Sequence, residues 1–359
     1  MICTFPFSTI FKFTKNMKKL LILLALICSF AQLCMAEEAK RVLIIGNSYT
    51  FCNDLPNALM ALSQDTKYPL EVESYTAGAM SLRGFLDSPE HAKARKLVES
   101  GKFDWIVLQD QSQTPYYKPE ETLDSVERWS KIAKTGKAKV VLFMTWAHAS
   151  AEGGKIRPLV DMQEKTSTVY CQAGVANKVK VAPVGEAWAR WYRKDNVKPL
   201  HVDDMSHPNP MGTYLAACVI HGTISGKAVK GVSGTLKLGR RVVLRIPNGV
   251  AKELQKTANA TLKGFTAQGF LDKQSEKEGK RATVAEVKAI LKKGVKREAL
   301  DELTGAPIHT NVTGGRKTYQ FRLRDGAELS AYCNSADTIE QVSIVAPGKP
   351  VEIIDVTKL

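Results

Sequence analysis

Val42-Leu43-Ile44-Ile45-Gly46-Asn47-Ser48-Tyr49-Thr50 is the stretch that decides the fold. Four consecutive apolar residues, three of them β-branched, read as a buried strand, and Gly-Asn-Ser directly after them reads as a sharp turn. A helix should follow, with Asn53 or Asp54 as its cap and Pro56 in its first turn, where a missing N–H costs little. Ser48 is therefore expected at the carboxyl end of a strand, the edge on which open α/β sheets gather their chemistry. An ordinary strand-to-helix turn with a hydrogen-bonding serine is the competing reading, and only distant residues decide between the two.

Downstream, short β-rich runs alternate with amphipathic helical stretches, the order of a parallel sheet with helices on both faces. Strands are expected over residues 70–75, 105–109, 140–145 and 179–184, five with the first. Helices are expected over 54–63, 91–100, 119–134, 159–173, 210–225 and 248–264. The strand ends Thr76-Ala77-Gly78, Gln109-Asp110-Gln111-Ser112, Trp146-Ala147-His148 and Gly185-Glu186 then share one rim with Ser48. Residues 226–240 are rich in Gly, Lys and Ser and weakly structured, and 241–246 reads as a short strand or a packed loop. A charged run over 273–281 without an apolar residue marks a linker. Beyond it, Val284, Val287, Ile290 and Leu291 give one helical face and Leu300 and Leu303 another, stopped by Gly305-Ala306-Pro307. Strands over 319–323, 329–333 and 339–345, with Asp325-Gly326 as a hairpin turn, complete a small antiparallel sheet. The expected organisation is one domain over 37–268, a charged linker over 269–281 and a small α+β domain over 282–359.

The chain has 359 residues, 44% hydrophobic and 24% charged, the balance of a soluble globular protein and not of a disordered one. Met17, Lys18-Lys19, the apolar stretch from Leu20 to Ile27, and Cys34-Met35-Ala36 before Glu37-Glu38 follow the order of a secretory signal peptide. Residues 1–36 are thus expected to leave, with Met1 or Met17 as the start, and the mature chain to be periplasmic or extracellular. The apolar run falls short of the ~20 residues a membrane span needs. The leader carries Lys12, Lys15, Lys18 and Lys19 and no acid, so its loss takes the formal charge from +15 to +11. A basic chain is drawn to anionic polymers or membrane surfaces, but no basic run with interleaved aromatics argues for nucleic acid. Cys52, Cys171, Cys218 and Cys333 remain; two disulfides are open to them, although Cys171 and Cys218 lie in apolar helical patterns that favour buried thiols. No Cys-x-x-Cys or His/Cys cluster suggests a metal, and no cofactor is expected.

His201-Val202-Asp203-Asp204-Met205-Ser206-His207-Pro208-Asn209-Pro210-Met211-Gly212-Thr213-Tyr214-Leu215 is the second decisive segment. Asn209 and Pro210 mark a helix start, so Asp204 and His207 lie in the turn leading into it. A separation of three in a helical turn puts both side chains on one side, where Asp204 can hold His207 in one tautomer while the other ring nitrogen faces the rim. Alone, Asp-x-x-His reads as well as a solvated loop.

Together with Gly46-Asn47-Ser48, this segment resembles the SGNH hydrolases, also called GDSL esterases, over about residues 41–264. The resemblance implies a flavodoxin-like three-layer α/β/α sandwich around a five-stranded parallel sheet. It implies Ser48 as nucleophile, His207 as its base and Asp204 as the partner of His207. It also implies an oxyanion hole from the amides of Ser48 and Gly78 and the side chain of Gln109. Two departures stand out: Gly-Asn-Ser replaces the family's Gly-Asp-Ser, and Leu108-Gln109-Asp110-Gln111-Ser112 replaces its Gly-x-Asn-Asp. Gln109 takes the donor's place by analogy with the Gln-Gly-Glu-Ser of branches acting on acetylated sugars, and Gln111 is the competitor. Asn47, Gln111 and Trp146 are candidates for substrate contact, Trp146 by stacking on a sugar ring. His148 and His201 are placed near the rim, whereas His91, His221 and His309 read as structural or solvated.

Val107-Leu108-Gln109-Asp110-Gln111-Ser112, Met144-Thr145-Trp146, Pro183-Val184-Gly185-Glu186-Ala187-Trp188 and His207-Pro208 with Gly212-Thr213-Tyr214-Leu215-Ala216-Ala217 are similar to an uncharacterised bacterial group of SGNH-like proteins with a domain of unknown function. Residues 281–356 resemble the two-helix, three-strand lipoprotein modules of BamE and of β-lactamase-inhibitor-like proteins, which implies an envelope partner. The function these resemblances imply is an exported serine esterase removing acetyl or similar small acyl groups from carbohydrate. The alternatives are a carbohydrate- or envelope-binding protein that keeps the fold without turnover, and a lipase or thioesterase, for which no apolar lid segment argues.

Overall fold

The first strand, β1 (Lys40–Gly46), buries all of Val42 to Ile45 and alternates them between two cores: Val42 and Ile44 enter one cluster, Leu43 and Ile45 the other. A strand apolar on both sides needs a cover on both sides, and the rest of the chain supplies it. The computed structural model describes residues 38–359 apart from 153, 154, 195, 280, 306 and 314; the expected leader lies outside the described residues.

Along the chain follow β2 (Leu70–Thr76), β3 (Trp105–Leu108), β4 (Lys139–Phe143), a small antiparallel hairpin of β5 (Ala149–Glu152) and β6 (Lys155–Pro158), and β7 (Lys180–Ala182). Strands β2-β1-β3-β4-β7 pair in that order, all parallel. Among the sheet's own strands this is the order 2-1-3-4-5, the flavodoxin-like arrangement, whose direction of winding reverses between β1 and β3. Helices Leu55–Gln64, Val184–Tyr192, Pro210–Ser225 and Asn248–Leu262 fill one face. Helices Leu82–Asp87, Ala92–Glu99, Pro119–Thr135, Val160–Asn177 and Ala267–Gly279 fill the other. The fold is a three-layer α/β/α sandwich.

Several expected boundaries move for local reasons. The last strand stops at Ala182 because Pro183 lacks the N–H a ladder needs, and Val184–Tyr192 turns into a helix. Residues 226–246 are better ordered than their composition suggests. They contain the antiparallel pair β8 (Thr235–Leu238) and β9 (Arg241–Arg245), which tucks Leu236 and Leu244 into the core. The linker expected over 269–281 is largely helix instead. Its charged residues are good helix formers, and Phe270 and Leu271 anchor its first turns against the second core. Cys52, Cys171, Cys218 and Cys333 carry no disulfide, and all but Cys52 are buried.

The C-terminal module opens with helix Val284–Ile290, whose start is a capping box between Thr283 and Glu286, and helix Arg297–Thr304. Its sheet has five strands where three were expected: β10 (His309–Thr313), β11 (Arg316–Arg322), β12 (Glu328–Cys333), β13 (Ile339–Val345) and β14 (Glu352–Asp355), paired antiparallel in sequence order. The two unforeseen strands are the edges, where His, Thr, Asn, Glu and Asp replace the apolar alternation that betrays an inner strand. Residues 40–359 pack as one unit. Among the described residues no helix is long and apolar enough to cross a membrane.

Candidate active site

Ser48 opens the four-residue helix Ser48–Phe51 at the end of β1, with Asn47 as its cap: the Asn47 side chain accepts from the Tyr49 amide at 3.1 Å. Between that helix and Leu55–Gln64 the chain kinks through Asn53 and Asp54, both with positive φ, so the expected cap position is a left-handed bend. Gly46 is dictated by close approach, not flexibility. A Cβ there would lie 2.4 Å from Thr50 Oγ1 and 2.5 Å from Gln109 Oε1.

The loop between His201 and Asn209 brings the second half of the site across. It closes as a small bridge, His201 to Pro208, with the Val202 amide donating to the His207 carbonyl at 3.0 Å. Asn53 Nδ2 donates to the Pro208 carbonyl at 2.8 Å and ties this loop to the segment that follows Ser48. His207 Nε2 then stands 2.8 Å from Ser48 Oγ, and His207 Nδ1 stands 2.5 Å from Asp204 Oδ2. The other Asp204 oxygen accepts the amides of Ser206 and His207 at 2.9 and 2.8 Å. Partial burial works against its ionisation, but these amides and the His207 ring outweigh it and hold the carboxyl down to about 2. Ser48, His207 and Asp204 thus form one hydrogen-bonded line in the order of a Ser-His-Asp triad. It is open to solvent, with the His207 and Asp204 side chains 36% and 48% exposed.

Two backbone donors flank Ser48. The pairing of Gly46 with Thr76 puts Gly78 level with Ser48 on the neighbouring strand end, and the Ala77 amide donating to the Gly46 carbonyl at 3.2 Å extends that ladder. The amides of Ser48 and Gly78 donate to no described residue. A Cβ at Gly78 would meet nothing within 4 Å, so the space beside it is open.

The structure corrects three of the residues expected to face substrate. Gln109 is fully buried: its Oε1 accepts the Asn47 amide and the Thr50 hydroxyl, each at 2.9 Å, and its Nε2 donates to Asn47 Oδ1 and the Asp110 carbonyl. Its carboxamide is spent on holding the turn and does not face an oxyanion. Asn47 is equally buried, donating to the Met80 carbonyl at 2.9 Å, and holds the turn instead of touching a ligand. Trp146 cannot stack on a sugar, because it is sandwiched between Tyr49 at 4.4 Å and Trp188 at 4.0 Å, both nearly parallel to it. Gln111 is half-buried on the rim. The pairing of Ile45 with Leu108 places it level with Ser48 on the other side from Gly78. Its Oε1 accepts the amides of Gln113 and Thr114 at 2.7 and 3.1 Å. Asp110, beneath it, accepts the amides of Leu82 and Gln111 and the Thr122 hydroxyl.

A second network, which the sequence does not anticipate, runs beside the Ser48–His207–Asp204 line. Tyr49, next to Ser48, places its hydroxyl 2.7 Å from Oγ of Ser206, next to His207. Ser206 Oγ lies 3.1 Å from His148 Nε2, itself 3.3 Å from Ser112 Oγ, and Trp146 Nε1 donates to the Ser206 carbonyl at 2.9 Å. Burial pushes the Tyr49 phenol up to about 12, so it stays a neutral hydroxyl, and burial also lowers the His148 imidazole. The available signal was adjacency: once Ser48 and His207 meet, their chain neighbours must meet as well. His201, also placed near the rim by sequence, is a core residue. Burial brings it down to about 4, and Tyr192 OH and the Ala147 carbonyl engage its two nitrogens at 2.8 and 3.0 Å. Among the described residues no group of three His, Cys, Asp or Glu side chains is arranged to hold a metal ion.

No family model matches this chain, and no curated protein matches it. Among solved structures it is similar to a candidate SGNH hydrolase from Slackia heliotrinireducens, at 26% identity and a TM-score of 0.45, over 52% of this chain and 100% of that one. It is also similar to a DUF4886 family protein from Bacteroides uniformis, at 17% identity and a TM-score of 0.48, over 63% of this chain and 95% of that one. A third is the psychrotrophic esterase EstA from Pseudoalteromonas sp., at 11% identity and a TM-score of 0.40, over 52% and 97%. The likeness is to SGNH hydrolases. Residue roles in this chain rest on its own geometry.

Proposed function

We propose that the chain is a serine esterase that hydrolyses small acyl esters, acetyl above all, through an acyl-enzyme. The observation that carries this reading is the unbroken line from Ser48 Oγ through His207 to Asp204, at 2.8 and 2.5 Å. A serine hydroxyl is a poor nucleophile until a base takes its proton, and His207 Nε2 is within reach to do so. Asp204 fixes Nδ1–H and stabilises the imidazolium that forms. As the carbonyl carbon turns tetrahedral, its oxygen gains charge beside the unpartnered amides of Ser48 and Gly78, each worth ~3 kcal/mol in such a hole. Gln111, not Gln109, is the side chain we assign as third donor. His207 then returns its proton to the leaving alcohol, and water repeats the sequence on the acyl-enzyme.

The open triad supports an ester carried on a large alcohol, which can lie across the rim without entering a tunnel. On that ground, and on the leader read from the sequence, we propose an acylated carbohydrate as substrate and the periplasm or exterior as the site of action. Hydrolysis of p-nitrophenyl acetate and of acetylated glycans tests the reaction, with Ser48→Ala as control and covalent labelling by a phosphonate ester to locate the nucleophile. Activity and labelling should both vanish in Ser48→Ala while its melting temperature is unchanged. Full turnover in that variant overturns the assignment.

A further inference from the structure

We propose that the C-terminal module is a positioning element for the Gln111 side of the site, acting through the contacts Arg322–Asp161–Tyr116. The proposal rests on the esterase reading for its kinetic arm only. Arg322 ends β11, and its guanidinium pairs with the Asp161 carboxylate; each side chain is only 16% exposed. Asp161 lies in the first turn of helix Val160–Asn177, where a carboxylate complements the helix dipole. Its other oxygen accepts from the Tyr116 hydroxyl at 2.8 Å and lies 3.4 Å from Lys165 Nζ, which itself sits 4.8 Å above the Tyr116 ring. Tyr116 belongs to the short helix Thr114–Tyr117, and Gln111 Oε1 holds the start of that helix through the Gln113 and Thr114 amides. Three links therefore join a strand of the appended module to a side chain level with Ser48.

The grip is not confined to one pair. Glu164, one turn along the same helix, pairs with Lys277 at 2.5 Å and with Arg281 at 3.3 Å, so residues just before and within the module clasp the first two turns of Val160–Asn177 at two points. Only the Asp161 point leads on to Tyr116. Arg322 and Tyr116 touch no reacting atom; they act through the loop that aims Gln111, and a loop with one less anchor spends more time away from the geometry an oxyanion donor needs.

The full-length chain tests this with Arg322→Ala, Tyr116→Phe, which removes a single hydroxyl, and Lys317→Ala, which removes a pair with Asp337 inside the module without touching Asp161. Hydrogen exchange over residues 111–117 should rise in the first two and stay at the wild-type rate in the third. With p-nitrophenyl acetate, kcat should fall about tenfold in Arg322→Ala and about threefold in Tyr116→Phe, with KM nearly constant, the size seen for residues that act at a distance through a contact network. Arg322→Lys, which keeps the charge, should recover part of the loss. Wild-type exchange over 111–117 and wild-type kcat in both Arg322→Ala and Tyr116→Phe overturn the proposal, as does an equal change in Lys317→Ala. If exchange rises as expected but no form of the protein hydrolyses esters, the positioning role stands and the esterase reading falls.

Discussion

Asp204→Asn tests where the protons of the site reside. One Asp204 oxygen accepts two backbone amides at 2.9 and 2.8 Å, and the other faces His207 Nδ1 at 2.5 Å. An asparagine in the same pose keeps both amide bonds on its carbonyl oxygen and turns its NH2 towards Nδ1. The flipped pose would set NH2 against two N–H donors and forfeit two hydrogen bonds, about 1–3 kcal/mol, so the first pose prevails. Nδ1 must then accept, the ring proton moves to Nε2, and the nitrogen 2.8 Å from Ser48 Oγ becomes a donor. A buried triad loses about 10⁴ in kcat from this change. Here the aspartate side chain is 48% exposed, and water already screens its attraction for the imidazolium. We therefore expect a loss of about a hundred- to a thousandfold, ~3–4 kcal/mol of barrier. Initial rates on p-nitrophenyl acetate measure it against Ser48→Ala as background, with a thermal melt to confirm the fold. An Asp204→Asn enzyme within tenfold of wild type refutes the tautomer argument. The sign of the acid response follows from the same carboxylate: it is depressed from 3.8 to about 2, so its contribution to stability is complete above pH 4 and disappears as pH falls through 2. Carboxyl NMR should place its midpoint there, and should find it raised in His207→Ala, which removes the ring but leaves both amides.

Two substitutions probe the supports of the Ser48–His207–Asp204 line. Gly46→Ala drives a methyl into Thr50 Oγ1 and Gln109 Oε1, at 2.4 and 2.5 Å, and should cost about 1–3 kcal/mol of stability by denaturant unfolding as well as most of the activity, because the carboxamide it displaces holds the Asn47-Ser48 turn; a neutral result refutes the close-approach reading. Trp146→Ala empties the space between Tyr49 and Trp188 and should cost about 3–5 kcal/mol of stability, with KM for an acetylated glycan rising no more than KM for p-nitrophenyl acetate; a glycan-selective rise restores the sugar-stacking role denied to it here.

The sheet was legible because burial on both faces leaves an unmistakable trace, four apolar residues in a row with a turn after them, and the two segments that meet in the Ser48–His207–Asp204 line were legible because each sits beside a turn with its own punctuation, Gly46 before Ser48 and Asn209-Pro210 after His207. What escaped was whatever depends on which side of a layer a polar side chain takes. Gln109 and Gln111 have the same parity and the same chemistry, so neither strand periodicity nor donor type separates them. The decisive residue is Gly46, a residue with no side chain to point anywhere. Its missing Cβ leaves a hole beside the end of β1 that Thr50 Oγ1 and Gln109 Oε1 fill together, and the register that pairs Ile45 with Leu108 puts Gln109, just past β3, opposite that hole. Once Gln109 is drawn in to satisfy the Asn47 amide and the Thr50 hydroxyl, the next residue of its parity, Gln111, is left on the rim beside Ser48. The same logic governs Trp146. An aromatic at a strand end invites a ligand-stacking role, but Tyr49 and Trp188 already cover both its faces, and Trp146 instead backs Tyr49, whose ring meets His207 edge-on at 5.6 Å.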